Sequence, residues 1–272
     1  MDIQLLLFFI NVSIITGIIG TIVVLKKMSS IAGSISHSLL ASVALSNILK
    51  VNPVITSIPF VFLTSIIIHY IKQNKKINEE IALSIIWVIG VSIGIILINL
   101  SNTYSSTISF YLFGNILFTD NSDIIISTIF SLICIIIYTV FNREIKNLII
   151  DEEYSKIIGV KTDLFNILIL SLVGLAIVFT IKAMGIILLI AILTIPATIA
   201  IKNSNSIEKC IFLTSILSFF SFLSGYFISF TFNIPVSSTI TITLVFIFLL
   251  SEIIKRKRGI VWKTKSKEIY NI

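Results

Sequence analysis

Apolar residues run along this chain in long blocks that short polar clusters interrupt at nearly even intervals. A helix needs about 20 largely apolar residues to cross the core of a bilayer. The pattern predicts nine such helices, over 3–25, 30–50, 53–71, 81–100, 122–141, 164–182, 184–201, 209–230 and 235–254. The second is rich in serine, and the seventh is short and follows the sixth almost without a loop. Eight helices plus a re-entrant segment is therefore the alternative arrangement. The stretch 101–120, "SNTYSSTISFYLFGNILFTD", is too polar at its start to span. Its aromatic residues suit an interfacial or re-entrant element. The expected fold is all-α, a polytopic integral membrane helical bundle, with one domain over 1–254 and a basic tail over 255–272.

Composition converts that pattern into a membrane protein. Of 272 residues, 56% are apolar and 12% charged, against about 45–50% and about 25% in soluble domains. Mean hydropathy is +1.09. Such a chain is not a soluble enzyme, a disordered chain or a nucleic-acid module. The net charge of +7 reflects the gathering of Lys and Arg in cytoplasmic loops. With the N-terminus outside, those loops receive Lys26 and Lys27, then Lys72, Lys75 and Lys76. Arg143, Lys146, Lys156, Lys161, Lys202 and Lys209 follow. Of the 20 basic residues, only Lys50 and Lys182 then fall outside. The tail "KRKRGIVWKTKSKEIYNI" is expected to be cytoplasmic and drawn to anionic lipid. Cys134 and Cys210 have no Cys-x-x-Cys spacing, so neither a structural disulfide nor a thiolate metal site is expected. The start, "MDIQLLLFFI", carries no basic region and no small-residue cleavage site and reads as a retained first span.

The acids are placed in loops or at span ends, where a proton-driven transporter would usually hold some deep in the bilayer. No G-x-x-x-x-G-K-[ST] loop is present to cradle ATP, and no H-E-x-x-H motif to hold a catalytic zinc. One ionisable side chain does lie inside a span. His37, in "GSISHSLLASVAL", shares a helical face with Gly33, Ser34, Ala41 and Ala44, with Ser38 adjacent. Imidazole is the commonest metal ligand, and small neighbours leave room for an ion. The alternative role is helix packing through a hydrogen bond. His69, at a span end beside Lys72, is expected to be interfacial. In "DEEYSKIIGVKTD", Asp151 is placed to cap a short helix, and Gly159 to end it. Tyr154, Ile157 and Ile158 form one apolar patch on that helix, which either lies on the membrane surface or docks into a partner. Pro196 removes a backbone hydrogen bond within the seventh span, which Gly185 opens. Gly90-x-x-x-Gly94 is only a weak packing signal.

Taken in order, these segments resemble the permease subunits of zinc/manganese-type ABC importers. The pieces are "LKKMSSIAGSISHSLLASVAL…VNP", "NEEIALSIIWVIGVSIGIIL", "FYLFGNIL", "DEEYSKIIGV" and "MGIILLIAILTIPATIA". The resemblance covers roughly residues 8–254 and implies an inner-membrane subunit without enzymatic activity of its own. Its implied partners are a cytoplasmic ATP-binding subunit, an extracytoplasmic metal-binding protein, a second permease copy and membrane lipid, with no nucleic acid. The chain itself would bind no cofactor; ATP would sit on the partner subunit. The implied cargo is a divalent metal, zinc or manganese, with iron also in range. The alternatives are a permease for a siderophore or cobalamin and an unrelated membrane enzyme. The resemblance makes His37 the metal contact, with Gly33, Ser34, Ser38 and Pro196 along the path. It makes Asp151, Tyr154, Ile157, Ile158 and Gly159 the surface that couples to the ATPase. Two departures stand out. Gly33 occupies a position where the family commonly has Asp, and "NIPVSS" stands where it often has Asp-x-Pro-Ser-Gly. Losing a hard oxygen ligand favours zinc over manganese.

Overall fold

The computed structural model describes residues 3–73, 78–101 and 111–257. Lys75, Lys76, the first part of the 101–120 stretch and most of the basic tail lie outside the described residues. In chain order the helices are α1 (Ile3–Leu25), α2 (Ser29–Leu49), α3 (Pro53–Gln73) and α4 (Glu79–Leu100). They are followed by α5 (Asn121–Val140), α6 (Asn142–Ile150), α7 (Glu152–Ile157), α8 (Thr162–Ile201), α9 (Ile207–Phe232) and α10 (Val236–Lys257). Among the described residues eight of these are long and apolar enough to cross a membrane. Within lipid every backbone group must be satisfied inside the chain, which helices achieve. Polar side chains set several of the ends. The Asn78 side chain accepts from the Glu80 and Ile81 amides, and Asp120 and Asp123 form a reciprocal capping box on α5.

The predicted sixth and seventh spans follow each other directly in α8, whose 40 residues would extend about 60 Å as one straight helix, twice a bilayer core. It is not straight. Gly185 has φ 69° and ψ 165°, outside any helical region. Contacts on either side of it show that the chain turns back. Before the break, Asn166 meets Lys26 at the end of α1, and Lys182 meets Asp120 and Asp123 at the start of α5. After it, Leu188 packs with Phe8 and Phe9, Leu193 abuts Gly20 farther down α1, and Lys202 pairs with Glu252 near the end of α10. The two limbs of α8 thus run in opposite directions, giving nine passes among the described residues, the first of the two arrangements expected.

Ion pairs mark the two ends of the bundle. Lys26–Glu152, Lys72–Glu79, Lys146–Glu208 and Lys202–Glu252 lie at the basic end. At the opposite end Lys182 bridges Asp120 and Asp123, at 3.1 and 2.8 Å, and Gln4 donates to Asn121. The Ser122 hydroxyl, the Asp123 amide and the Lys182 ammonium hold the Asp120 carboxyl well below the usual carboxylate range. Apolar packing fills the space between. One cluster joins α1, α2, α3 and the first limb of α8. A second, with Phe9 stacked on Phe222 at 4.9 Å, joins α1, α9 and α10.

The described part of the 101–120 stretch starts inside the bundle. Tyr111 is buried, and its hydroxyl donates to the Ser36 carbonyl at 2.7 Å, near the level of His37. From there the chain climbs to Asn115, whose amide donates to the Lys182 carbonyl, and reaches Asp120. On the way Gly114 (φ 61°) meets Gly185 backbone to backbone. A Cβ on either would lie within 2.6 Å of the other's segment, so only glycine fits this crossing.

Candidate metal path and coupling surface

His37 is carried by α2, eight residues above its first residue Ser29, or about 12 Å along the axis. Helices α2 and α4 run in the same direction, with register contacts at successive levels. The Ser34 hydroxyl donates to the Leu83 carbonyl at 3.0 Å. The His37 ring stacks on Trp87, with centroids 4.4 Å apart and planes at 19°. A Cβ on Gly90 would stand 2.4 Å from the Ser38 Cα, and one on Gly94 2.9 Å from the Leu40 carbonyl carbon. The Gly90-x-x-x-Gly94 pattern, weak as a signal, is therefore the seam that brings α4 onto α2. That close approach explains why the His37 ring meets Trp87 face to face.

The site this builds is sparse. His37 is half-buried, and Trp87 covers one face of its ring. Among the described residues no group of three or more His, Cys, Asp or Glu side chains could hold a metal ion. Ser34 and Ser38 are buried in the seam, and the Ser38 hydroxyl donates to the Ile35 carbonyl. Gly33 faces open space, with nothing within 4 Å of an added Cβ. Pro196 lies elsewhere, buried in the second limb of α8, one turn from the Leu193–Gly20 contact. Around His37 the described side chains thus offer one imidazole with an aromatic neighbour.

The segment 151–160 folds as a short helix capped at both ends. The Asp151 carboxylate accepts from the Tyr154 amide at 3.0 Å and caps α7. At the other end Gly159 has φ 86°, its amide donates to the Lys156 carbonyl and that of Val160 to Ser155. This paired closure needs a left-handed residue just past the helix. Ser155 is buried, while Tyr154, Ile158 and above all Ile157, at 82%, are exposed. Three apolar side chains thus stand exposed on a capped knob.

Two residues differ from, or were absent from, the expectations. His69, expected at the interface, is only 5% exposed. Its Nε2 lies 3.0 Å from Gln73 and 3.7 Å from Asp163, because the start of α8 folds over the end of α3. Trp87 gave no signal of its own; its spacing from Leu83, Gly90 and Gly94 along one helical face is the clue that places it.

The described residues form a nine-pass helical bundle with a histidine inside one span and an exposed knob at its basic end, a polytopic membrane protein. The chain belongs to the ABC 3 transport family, whose model matches residues 3–255. It is 34% identical over 250 residues to the manganese import system permease protein ScaB of Streptococcus gordonii, covering 92% of this chain and 89% of that one. It is 32% identical over 247 residues to the high-affinity zinc uptake system membrane protein ZnuB of Buchnera aphidicola, covering 90% and 95%. Among solved structures, PsaBC from Streptococcus pneumoniae in complex with Fab matches with a TM-score of 0.82 at 33% identity, covering 91% of this chain and 89% of that one. The chain is a multi-pass ABC transporter permease.

Proposed function

We propose that this permease imports a divalent transition metal into the cytoplasm, with zinc as the favoured cargo and manganese or iron as alternatives. The observation that carries the reading is the half-buried His37 on the α2–α4 seam, in a chain whose relatives are named for manganese and zinc uptake. A lone imidazole without a carboxylate beside it favours a borderline-soft ion over a hard one. Gly33 borders the ion's path on α2, with Ser34 and Ser38 behind it in the seam, while Pro196 stands apart from His37 on the second limb of α8. The second copy of the permease supplies the facing wall, so that His37 meets the ion between two chains. The basic end is cytoplasmic by the distribution of Lys and Arg, which puts the N-terminus outside and the tail inside the bacterial inner membrane. There a separate ATP-binding subunit presses on Tyr154, Ile157, Ile158 and Gly159, with Asp151 holding the knob's fold. An extracytoplasmic metal-binding protein delivers the ion at the opposite end. ATP is hydrolysed on the partner and not on this chain.

The test is radiometal uptake in vesicles holding the permease with its ATP-binding subunit, zinc against manganese, wild type against His37→Ala. The expected result is ATP-dependent uptake that prefers zinc and falls at least tenfold in the variant at equal protein level. An assembled complex that hydrolyses ATP and moves neither metal would overturn the cargo assignment.

A further inference from the structure

At the basic end one lysine joins three elements. The Lys26 side chain is 9% exposed, and its ammonium donates to the Asn166 Oδ1 at 2.9 Å. It also lies 3.8 Å from a carboxylate oxygen of Glu152 in the first turn of α7. Asn166 closes the triangle by donating to the other Glu152 oxygen at 2.7 Å. The end of α1, the start of α8 and the knob are thereby tied at one point. An ammonium removed from water must keep such partners, because a buried charge left unpaired is costly.

The backbone that carries Lys26 is tied by paired hydrogen bonds. Lys27 takes a left-handed conformation, φ 56°, unusual for a residue with a side chain. The Met28 amide donates to Val23 and that of Lys27 to Val24, a paired helix closure, and Met28 is buried. The Ala32 amide in turn donates to the Met28 carbonyl, so α2 starts directly from this turn. His37 stands eleven residues after Lys26. A push on α7 therefore has a short, hydrogen-bonded route through Glu152, Lys26 and the α1–α2 turn to the base of the helix that bears the histidine.

We infer that Lys26 is a positioning residue of the transport cycle, passing displacement of α7 to α2 through its contacts with Glu152 and Asn166. This rests on α7 being the surface that the ATP-binding subunit moves. The experiment compares wild type, Lys26→Met, Lys26→Arg and Asn166→Ala, each assembled with the ATP-binding subunit in proteoliposomes. ATP hydrolysed and zinc imported are measured on the same sample, with thermal unfolding and co-purification of the complex alongside. Lys26→Met is expected to hydrolyse ATP within twofold of wild type while importing at least tenfold less metal per ATP. Asn166→Ala should lose coupling in the same sense, and Lys26→Arg should stay close to wild type. If Lys26→Met does not assemble, Asn166→Ala decides: unchanged metal per ATP overturns the inference. It is equally overturned if hydrolysis and uptake fall in one proportion, or if Lys26→Arg uncouples as much as Lys26→Met. A wild-type complex that fails to assemble, or assembles and moves no metal, is a failure of the proposed function and is read before any variant.

Discussion

Gly33 offers the sharpest probe at the scale of one residue. It sits four positions before His37, one helical turn away on the same face, and open space surrounds its missing side chain. Gly33→Asp is expected to fold normally, to bind metal at least tenfold more tightly, and to gain more for manganese than for zinc, because a carboxylate is a hard ligand. Equilibrium metal binding to the purified variant checks this, and an affinity equal to wild type would take His37 off the metal path. His37 itself was legible in the sequence as the one ionisable group deep in an apolar run. Its contact with Trp87 was not, because the two meet only once α4 lies on α2. The burial of His69 was hidden for the same reason: hydropathy marks a span's end, but the cover comes from Asp163, far along the chain.

At the scale of elements, the signals that proved readable are local. Asp151 and Gly159 mark the two ends of α7 because capping involves residues within one turn of each other. Gly185 marks the reversal in α8 because a left-handed residue breaks a helix wherever it falls. The seam between α2 and α4 is different in kind. Gly90-x-x-x-Gly94 is common in membrane helices, and only the assembled bundle shows Ser38, Leu40 and Ala41 against it. Gly90→Leu should push the two helices apart, since the first clash is with the Ser38 backbone, which has no side-chain freedom to yield. Overpacking of this kind typically costs about 1–3 kcal/mol, so the melting temperature of the detergent-solubilised protein should fall and metal uptake should be lost. A variant with wild-type melting and uptake would show that the seam is not needed.

For the whole molecule, the exposed knob separates folding from assembly. Ile157 is 82% exposed, so Ile157→Asp should leave the melting temperature unchanged. It should abolish co-purification with the ATP-binding subunit, because a carboxylate then faces an apolar partner surface. Retained co-purification would move the docking surface away from α7. The amino-acid sequence by itself determined the membrane class, a bundle of eight or nine passes, the segregation of basic residues to one end and the caps of α7. These follow from composition, from periodic hydropathy and from contacts within one turn of the chain. Tertiary structure alone decided which helices touch, where α8 folds back on α1, how Tyr111 reaches Ser36, and that Lys26 closes on Glu152 and Asn166. The physical reason is that lipid is as apolar as the helices it surrounds. Hydropathy therefore drives each helix into the membrane without choosing its neighbours, and close packing of small residues with a few buried polar contacts makes that choice.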